Sequence, residues 1–413
     1  MKKIAILSTT FPPLSGGGGV ASAHYNLYRQ LCNNGYQVKV FTFNDDNLIN
    51  SIKPTLTDDI IRFGLTAKEI KRLDNYNIVL RKFDKWILRN NGNDKLKFQY
   101  YILQRANIAS KKINSLLIKF NPDIVFLPSN GVPGSSLDKI PNARYFHICH
   151  HNPMQYIGNP LMTEHSLSDA QKAIRFEQKA LSKVDVVICV SNYMKSLFLQ
   201  TFSFEKLVVV LPNIVDDTYI NAVVKNDLHR LLNIDSTYPV VYIPAGGIRT
   251  KGEQFVIELI RRMSKALENK VGFYISGKLS KAQQFELSFL NHYNLHIFVS
   301  GDISNEQNLS NVKDCALCVS PTHTENYSMA FIEALFMEIP CVAFEIGGNE
   351  DIVVNGKTGY LVPYCDIEQM IEKSLDILGS VELQKQLNLC IAAYNKEKSA
   401  SKIASQYIKL IES

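Results

Sequence analysis

Along the chain, short runs of β-branched and apolar residues alternate with longer stretches whose apolar positions recur every three or four residues, the pattern of a parallel α/β protein. In the first half the strand candidates are IAILS, QVKVFTF, DIVFLP, RYFHIC and VDVVICVS, and amphipathic helices are predicted over Val20 to Asn33 and Lys95 to Phe120. A second series follows VVVLPNIVDDTYI, with strands at PVVYIPA, VGFYIS, HIFVSG, ALCVSP and IPCVAFE. Two such series imply two domains of similar build, 1–210 and 211–390, linked through Pro212 to Asp217. The terminal AAYNKEKSASKIASQYIKLIES reads as one last helix, and 391–413 is expected to pack back toward the N-terminal domain. Open parallel sheets bind ligands beyond the carboxyl ends of their strands, so two such domains facing each other make a cleft. The residues immediately after strands are therefore the ones to search.

Composition narrows the class. A chain of 413 residues that is 46% hydrophobic can build two ordinary cores. No run reaches the roughly 18 apolar residues of a membrane span, and MKKIAILSTTFPP has too short an apolar core for a signal peptide. Eight cysteines in a chain of this size do not suggest a disulfide framework, which makes the reducing cytoplasm the expected compartment. Cys315 and Cys318 have C-x-x-C spacing but lack a second pair and lie in an apolar run, so they read as core cysteines.

The net charge of +6 is concentrated between Ile61 and Lys97, where ten basic residues face four acidic ones. The stretch IVLRKFDKWILRN in this segment could form an amphipathic helix with a cationic face, suited to an anionic membrane surface at about 1 kcal/mol per basic contact. A solvated helix face explains the same residues. Nucleic acid is not expected, because no groove-reading motif or set of base-stacking aromatics is present.

Two stretches carry candidate chemistry. FPPLSGGGGVASAHYN places four glycines after the first strand, and GGGGVA satisfies the dinucleotide pattern G-x-G-x-x-A. That fingerprint needs its first glycine directly off the strand, whereas TTFPPLS intervenes here; glycines at this place instead let backbone approach a ligand closely. In SPTHTENYSMAFIEALFMEIP, Glu325 and Glu333 flank a helix start near Ser328. Eight helical residues rise about 12 Å, too far for an acid–base dyad, so the two carboxylates suit opposite ends of one extended ligand. Between them the amides of Tyr327, Ser328 and Met329 would favour an anion such as a diphosphate. Hydroxyls at both ends and phosphates between describe a nucleotide sugar.

The E-x7-E spacing, EIPCVAFEIGG and NGKTGYLV together resemble the retaining GT-B glycosyltransferases, most closely glycosyltransferase family 4. The resemblance extends to SPTHTEN, VDVVICVS with LVVVLPNIVDD, TKGEQFVIEL, and FPPLSGGGGV with LCNNGYQVKVFT, leaving 44–120 mainly uncovered. It implies a GT-B fold of two Rossmann-like domains and retaining, metal-independent sugar transfer with no cofactor beyond the nucleotide-sugar substrate, UDP- or GDP-linked. Glu333 would bind the ribose hydroxyls. Glu325 would contact the transferred sugar and help stabilise the transition state. Lys251 of the "KG" pair, with Asn326, Tyr327, Ser328 and Met329, would hold the diphosphate. Arg249 stands two residues before Lys251, where the family's arginine closely follows the strand, and Ile214 stands where the family has glycine. Gly18 and Gly19 match the family's glycine pair, with Gly16 and Gly17 adding slack. His151, after the strand RYFHIC, matches the histidine that contacts the donor sugar, with His150 the alternative and Asn152 a further member of the sugar or acceptor pocket. His147 alternates into the strand and reads as core.

The expected acceptor is a glycan or lipid-linked glycan, as in bacterial surface polysaccharide or lipopolysaccharide assembly, with the enzyme at the inner face of the membrane. A GT-B sugar-nucleotide epimerase, a phosphorylase, a non-catalytic sugar-binding protein and an NAD-dependent oxidoreductase remain alternatives. The last leaves Glu325, Glu333, Lys251 and the second domain unexplained.

Overall fold

The structure is a computed structural model, and it describes residues 1–9, 11–12, 18–43, 53–55, 59–63, 65–88, 99–129, 133–159, 167–290 and 294–413. Its contacts divide the chain into two units, Met1–Ile214 with Ile403–Ser413, and Val215–Lys402.

The first unit holds an eight-stranded sheet. Its strands are β1 (Lys3–Ser8), β2 (Gln37–Phe43), β3 (Lys53–Thr55), β4 (Ile60–Phe63), β5 (Ile124–Pro128), β6 (Arg144–Cys149), β7 (Val186–Cys189) and β8 (Leu207–Val210). Their spatial order is β3-β4-β2-β1-β5-β6-β7-β8, parallel except for the antiparallel β3–β4 pair. Strands covered on both faces read as unbroken apolar runs rather than as alternation. All of β5 and β7 is accordingly buried, whereas β8, at the sheet edge, is exposed at Leu207 and half-buried from Val208 to Val210.

The second unit holds a six-stranded parallel sheet in the order β11-β10-β9-β12-β13-β14. These strands are β9 (Val240–Ile243), β10 (Gly272–Ile275), β11 (His296–Val299), β12 (Leu317–Ser320), β13 (Cys341–Phe344) and β14 (Gly359–Val362). Register places Tyr242 beside Tyr274 and Tyr274 beside Phe298, so three aromatic rings stack across three strands at centroid spacings of 5.4 and 5.9 Å. The order doubles back at β9, with β10 on one side and β12 on the other. That is the switch point where an α/β sheet opens a crevice beyond its strand ends.

Every strand expected from the apolar runs is present, and β3, β4, β8 and β14 are added to them. One expectation is corrected. The C-terminal segment is two helices, Val381–Lys398 and Ala400–Glu412, because Ser399 takes an extended conformation (φ −54°, ψ 148°) and the Ala400 amide donates to Asp217 Oδ1 at 3.4 Å. Residues 391–398 complete the second unit's helix. The far end of the last helix fixes the first unit's terminus, where Lys2 Nζ and the Tyr36 hydroxyl donate to the Glu412 carboxylate at 2.6 and 2.7 Å.

Helix Ala67–Leu88 is present in the basic segment, with Lys68, Lys71 and Arg72 exposed beside exposed Ile78 and Val79. The side chains of Arg81, Lys82 and Lys85, and all of 89–98, lie outside the described residues, as do Gly16 and Gly17. Among the described residues, no helix is long and apolar enough to cross a membrane.

Candidate functional site

In the second unit, two loops leaving the carboxyl ends of β9 and β12 are locked together. The chain after β9 makes a short 3-10 turn at Arg249–Lys251 and then enters helix Glu253–Ala266. The chain after β12 runs from Pro321 to Ser328 before helix Met329–Phe336. Between them the Thr250 carbonyl accepts from the His323 amide at 2.9 Å and the Thr322 hydroxyl at 3.2 Å.

Two glycines make this approach feasible. Gly252 has φ +83°, and a Cβ there would sit 2.0 Å from the Pro321 carbonyl oxygen. A Cβ at Gly348 would sit 1.9 Å from the Asn326 carbonyl oxygen, and the Gly348 amide donates to the Glu325 carbonyl at 2.9 Å. Any side chain at either place forces backbone apart.

Within this frame Lys251 Nζ lies 2.5 Å from Glu325 Oε2, with side chains 30% and 13% exposed. Glu325 Oε1 also accepts from the Asn326 amide at 3.2 Å. Ser328 is the N-cap of helix Met329–Phe336, its hydroxyl accepting from the Phe331 amide at 3.4 Å. The positive end of that helix dipole therefore lies within a few residues of the ion pair. The helix starts at Met329, so Glu325 lies off it and the 12 Å helical rise does not set the separation of Glu325 from Glu333. That corrects the expectation drawn from spacing alone. Arg249 is exposed on the same turn as Lys251.

Glu333 is half-buried in the helix, and burial pushes its carboxyl up to about 7. The Tyr242 hydroxyl is pushed up by burial, by the neighbouring Cys318 thiol and by the nearby Glu333 carboxylate. Glu333 thus lies near the Tyr242 hydroxyl of β9. Sequence alone gave no sign of this burial, because a helix glutamate is usually solvated.

The first unit places the other expected residues. After β6 the amides of His150 and His151 both donate to the Ser129 hydroxyl at 2.9 Å, which fixes the backbone of the turn. His151 is half-buried with its ring 5.5 Å from that of Tyr156. His150 points into the protein at 6% exposure, with Nε2 2.8 Å from Asn213 Oδ1, and burial lowers it to about 4. Its ring meets that of His24, whose Nδ1 is 2.8 Å from Ser8 Oγ. Of the two histidines, His151 is the more exposed.

Asn152 is fully buried. Its Oδ1 accepts from the Met154 amide at 2.9 Å and the Thr201 hydroxyl at 3.2 Å, and its Nδ2 donates to the Leu197 carbonyl at 3.3 Å. Those bonds tie the side chain to its own loop and to helix Asn192–Thr201. His147 is buried against Glu177, Nε2 to Oε1 3.1 Å, as a core residue. Cys315 and Cys318 are buried free thiols. Gly18 is the N-cap of helix Gly19–Asn33, and both glycines are exposed.

Gly252→Ala and Gly348→Ala should each lower stability by more than about 2 kcal/mol. Thermal melts of the two variants check this; wild-type melting temperatures would contradict the close packing.

Titration of Glu333 gives a signed prediction. Its folded-state value, about 7, exceeds the ordinary 4.5, so the folded protein holds this proton more tightly and loses stability as pH rises through that window. Glu333→Gln should therefore raise the melting temperature relative to wild type at pH 8 and leave it nearly unchanged at pH 4. An equal effect at both pH values would rule out the buried carboxyl as its source.

Two family models match the chain. Residues 17–219 match the model described as Glycosyltransferase Family 4, and residues 224–393 match Glycosyl transferases group 1. The uncharacterized glycosyltransferase MJ1178 of Methanocaldococcus jannaschii is 25% identical over 247 residues, 60% of this chain and 64% of that one. A poly(ribitol-phosphate) alpha-N-acetylglucosaminyltransferase of Staphylococcus aureus is 24% identical over 244 residues, 57% of this chain and 46% of that one. Both matches span less than two thirds of the relative's own length. Among solved structures, S. aureus TarM in complex with fondaparinux, α-GlcNAc-glycerol and UDP superposes with a TM-score of 0.66 at 17% identity, covering 100% of both chains. The fold is GT-B, and the chain belongs to the group 1, family 4 glycosyltransferases.

Proposed function

We propose that this protein transfers a sugar, with retention of anomeric configuration, from a nucleotide sugar to a glycan or glycolipid acceptor in bacterial surface polysaccharide assembly. The observation that carries the reading is the Lys251–Glu325 pair set beside the Ser328-capped helix, with Glu333 on the next turns of that helix. One cation, one helix dipole and two carboxylates gathered around one helix start suit a ligand that carries both phosphates and hydroxyls.

In this reading Lys251, Arg249 and the amides around Ser328 take the diphosphate. As the bond from the sugar to the diphosphate breaks, negative charge gathers on the leaving phosphate, and fixed cations and dipoles already aimed there lower the barrier. That leaving-group stabilisation comes from side chains and backbone, without a metal. Glu333 accepts from the ribose hydroxyls. Glu325 faces the transferred hexose, and its carboxylate offsets positive charge developing at the anomeric carbon. His151, Gly18 and Gly19 contribute to the donor sugar and phosphates. TarM, solved with UDP and α-GlcNAc-glycerol, supports a nucleoside-diphosphate donor of this kind. The exposed Lys68, Lys71 and Arg72 support attraction of the protein to an anionic membrane surface carrying the acceptor.

A thermal-shift panel of UDP, GDP, ADP and NAD tests the donor. At least one nucleoside diphosphate should raise the melting temperature, and Lys251→Ala should weaken its affinity roughly tenfold. Stabilisation by NAD and by no nucleoside diphosphate would overturn the proposal. Vesicle flotation tests the membrane part: removing anionic lipid should release the protein, and unchanged binding would contradict it.

A further inference from the structure

The site holds one charge arrangement that donor binding alone does not require. Lys251 and Glu325 satisfy each other in the ligand-free protein at 2.5 Å. Their backbones cannot drift apart. The Thr250 carbonyl is bonded to the His323 amide and the Thr322 hydroxyl, Gly252 lies under the Pro321 carbonyl, and the Gly348 amide holds the Glu325 carbonyl. Only side-chain torsions can separate the two charges. The same loops keep Glu325 in place from the other side, since Oε1 accepts from the Asn326 amide.

An anion bound by Lys251 must therefore compete with a carboxylate tethered to it. We infer that Glu325 acts as an internal competitor for the Lys251 ammonium, so that the resting site is partly self-neutralised and the diphosphate takes the lysine by charge exchange. This deepens the donor reading and rests on it. In the free protein Glu325 is drawn toward Lys251. When the diphosphate takes over the ammonium, the carboxylate is released to turn toward the sugar. The step is an exchange of ion-pair partners; no bond is made or broken and no proton moves.

The exchange also bears on product release. After transfer the nucleoside diphosphate remains on Lys251, and the carboxylate that pairs with that lysine at 2.5 Å in the ligand-free protein is placed to reclaim it and weaken the product's hold. One residue would then lower affinity for the product while serving the reaction.

A residue that only binds ligand behaves differently from one that also competes with it. Glu325→Gln keeps the size of the side chain and removes its charge. If Glu325 competes, this variant binds nucleoside diphosphate more tightly than wild type, by roughly two- to fivefold for a partly exposed ion pair. Its affinity for the bare nucleoside, which has no phosphates to compete for Lys251, is unchanged.

Isothermal titration of wild type, Glu325→Gln, Lys251→Ala and the double variant with the diphosphate selected by the thermal-shift panel, and with its nucleoside, reads this directly. Tighter diphosphate binding by Glu325→Gln, lost when Lys251 is already alanine, is the expected result. Diphosphate affinity equal to or weaker than wild type in Glu325→Gln overturns the exchange while leaving the donor site standing. If wild type binds no nucleoside diphosphate at all, the donor reading fails and the exchange fails with it.

Discussion

Three stretches of backbone meet at the end of the second sheet more closely than side chains permit. The turn after β9 approaches the loop after β12 through Gly252, and the turn after β13 approaches the same loop through Gly348. The β12 loop is thus clamped from both sides, and the half-buried stretch Thr324–Asn326 that it presents carries the Glu325 carboxylate. Lys251 comes from the clamping turn itself. The geometry of the charged pair is inherited from backbone contacts and owes little to the pair's own attraction, which at partial exposure is worth about 1 kcal/mol or less.

That ordering explains why the site is built on two successive devices rather than one. A sheet that reverses its strand order at β9 opens a crevice, and a helix capped by Ser328 points its positive end there. The crevice gives a place for an extended ligand, and the helix gives it polarity. Glu333, half-buried near the Tyr242 hydroxyl, adds a carboxyl that burial pushes up to about 7. In the first unit the same economy applies. A single hydroxyl, Ser129, fixes the His150–His151 turn, and one buried amide, Asn152, ties the following loop to the helix carrying Leu197 and Thr201.

Much of this was legible in the chain. Central parallel strands declare themselves as unbroken apolar runs, and the motifs around Glu325, Glu333 and Lys251 stand in an order that accident rarely produces. What escaped has physical reasons. β8 is an edge strand lying partly open, and GYLV of β14 has two half-buried residues, so neither carries a full core signal. The break at Ser399 comes from a contact with Asp217, remote in sequence. Asn152 sits beside a histidine as a ligand residue would, yet its partners at Thr201 and Leu197 are nearly fifty positions away. No local pattern announces that a glycine such as Gly348 faces a carbonyl contributed by another loop.

The central claim is that the loops after β9 and β12 hold the diphosphate of a sugar donor for transfer. Following nucleoside-diphosphate release from a panel of UDP-, GDP- and ADP-sugars, for wild type and for Glu325→Ala, tests it most directly. The account predicts slow release from at least one donor by wild type and a marked loss of that release in the variant. Equal release by both proteins, or none from any donor by wild type, would contradict it.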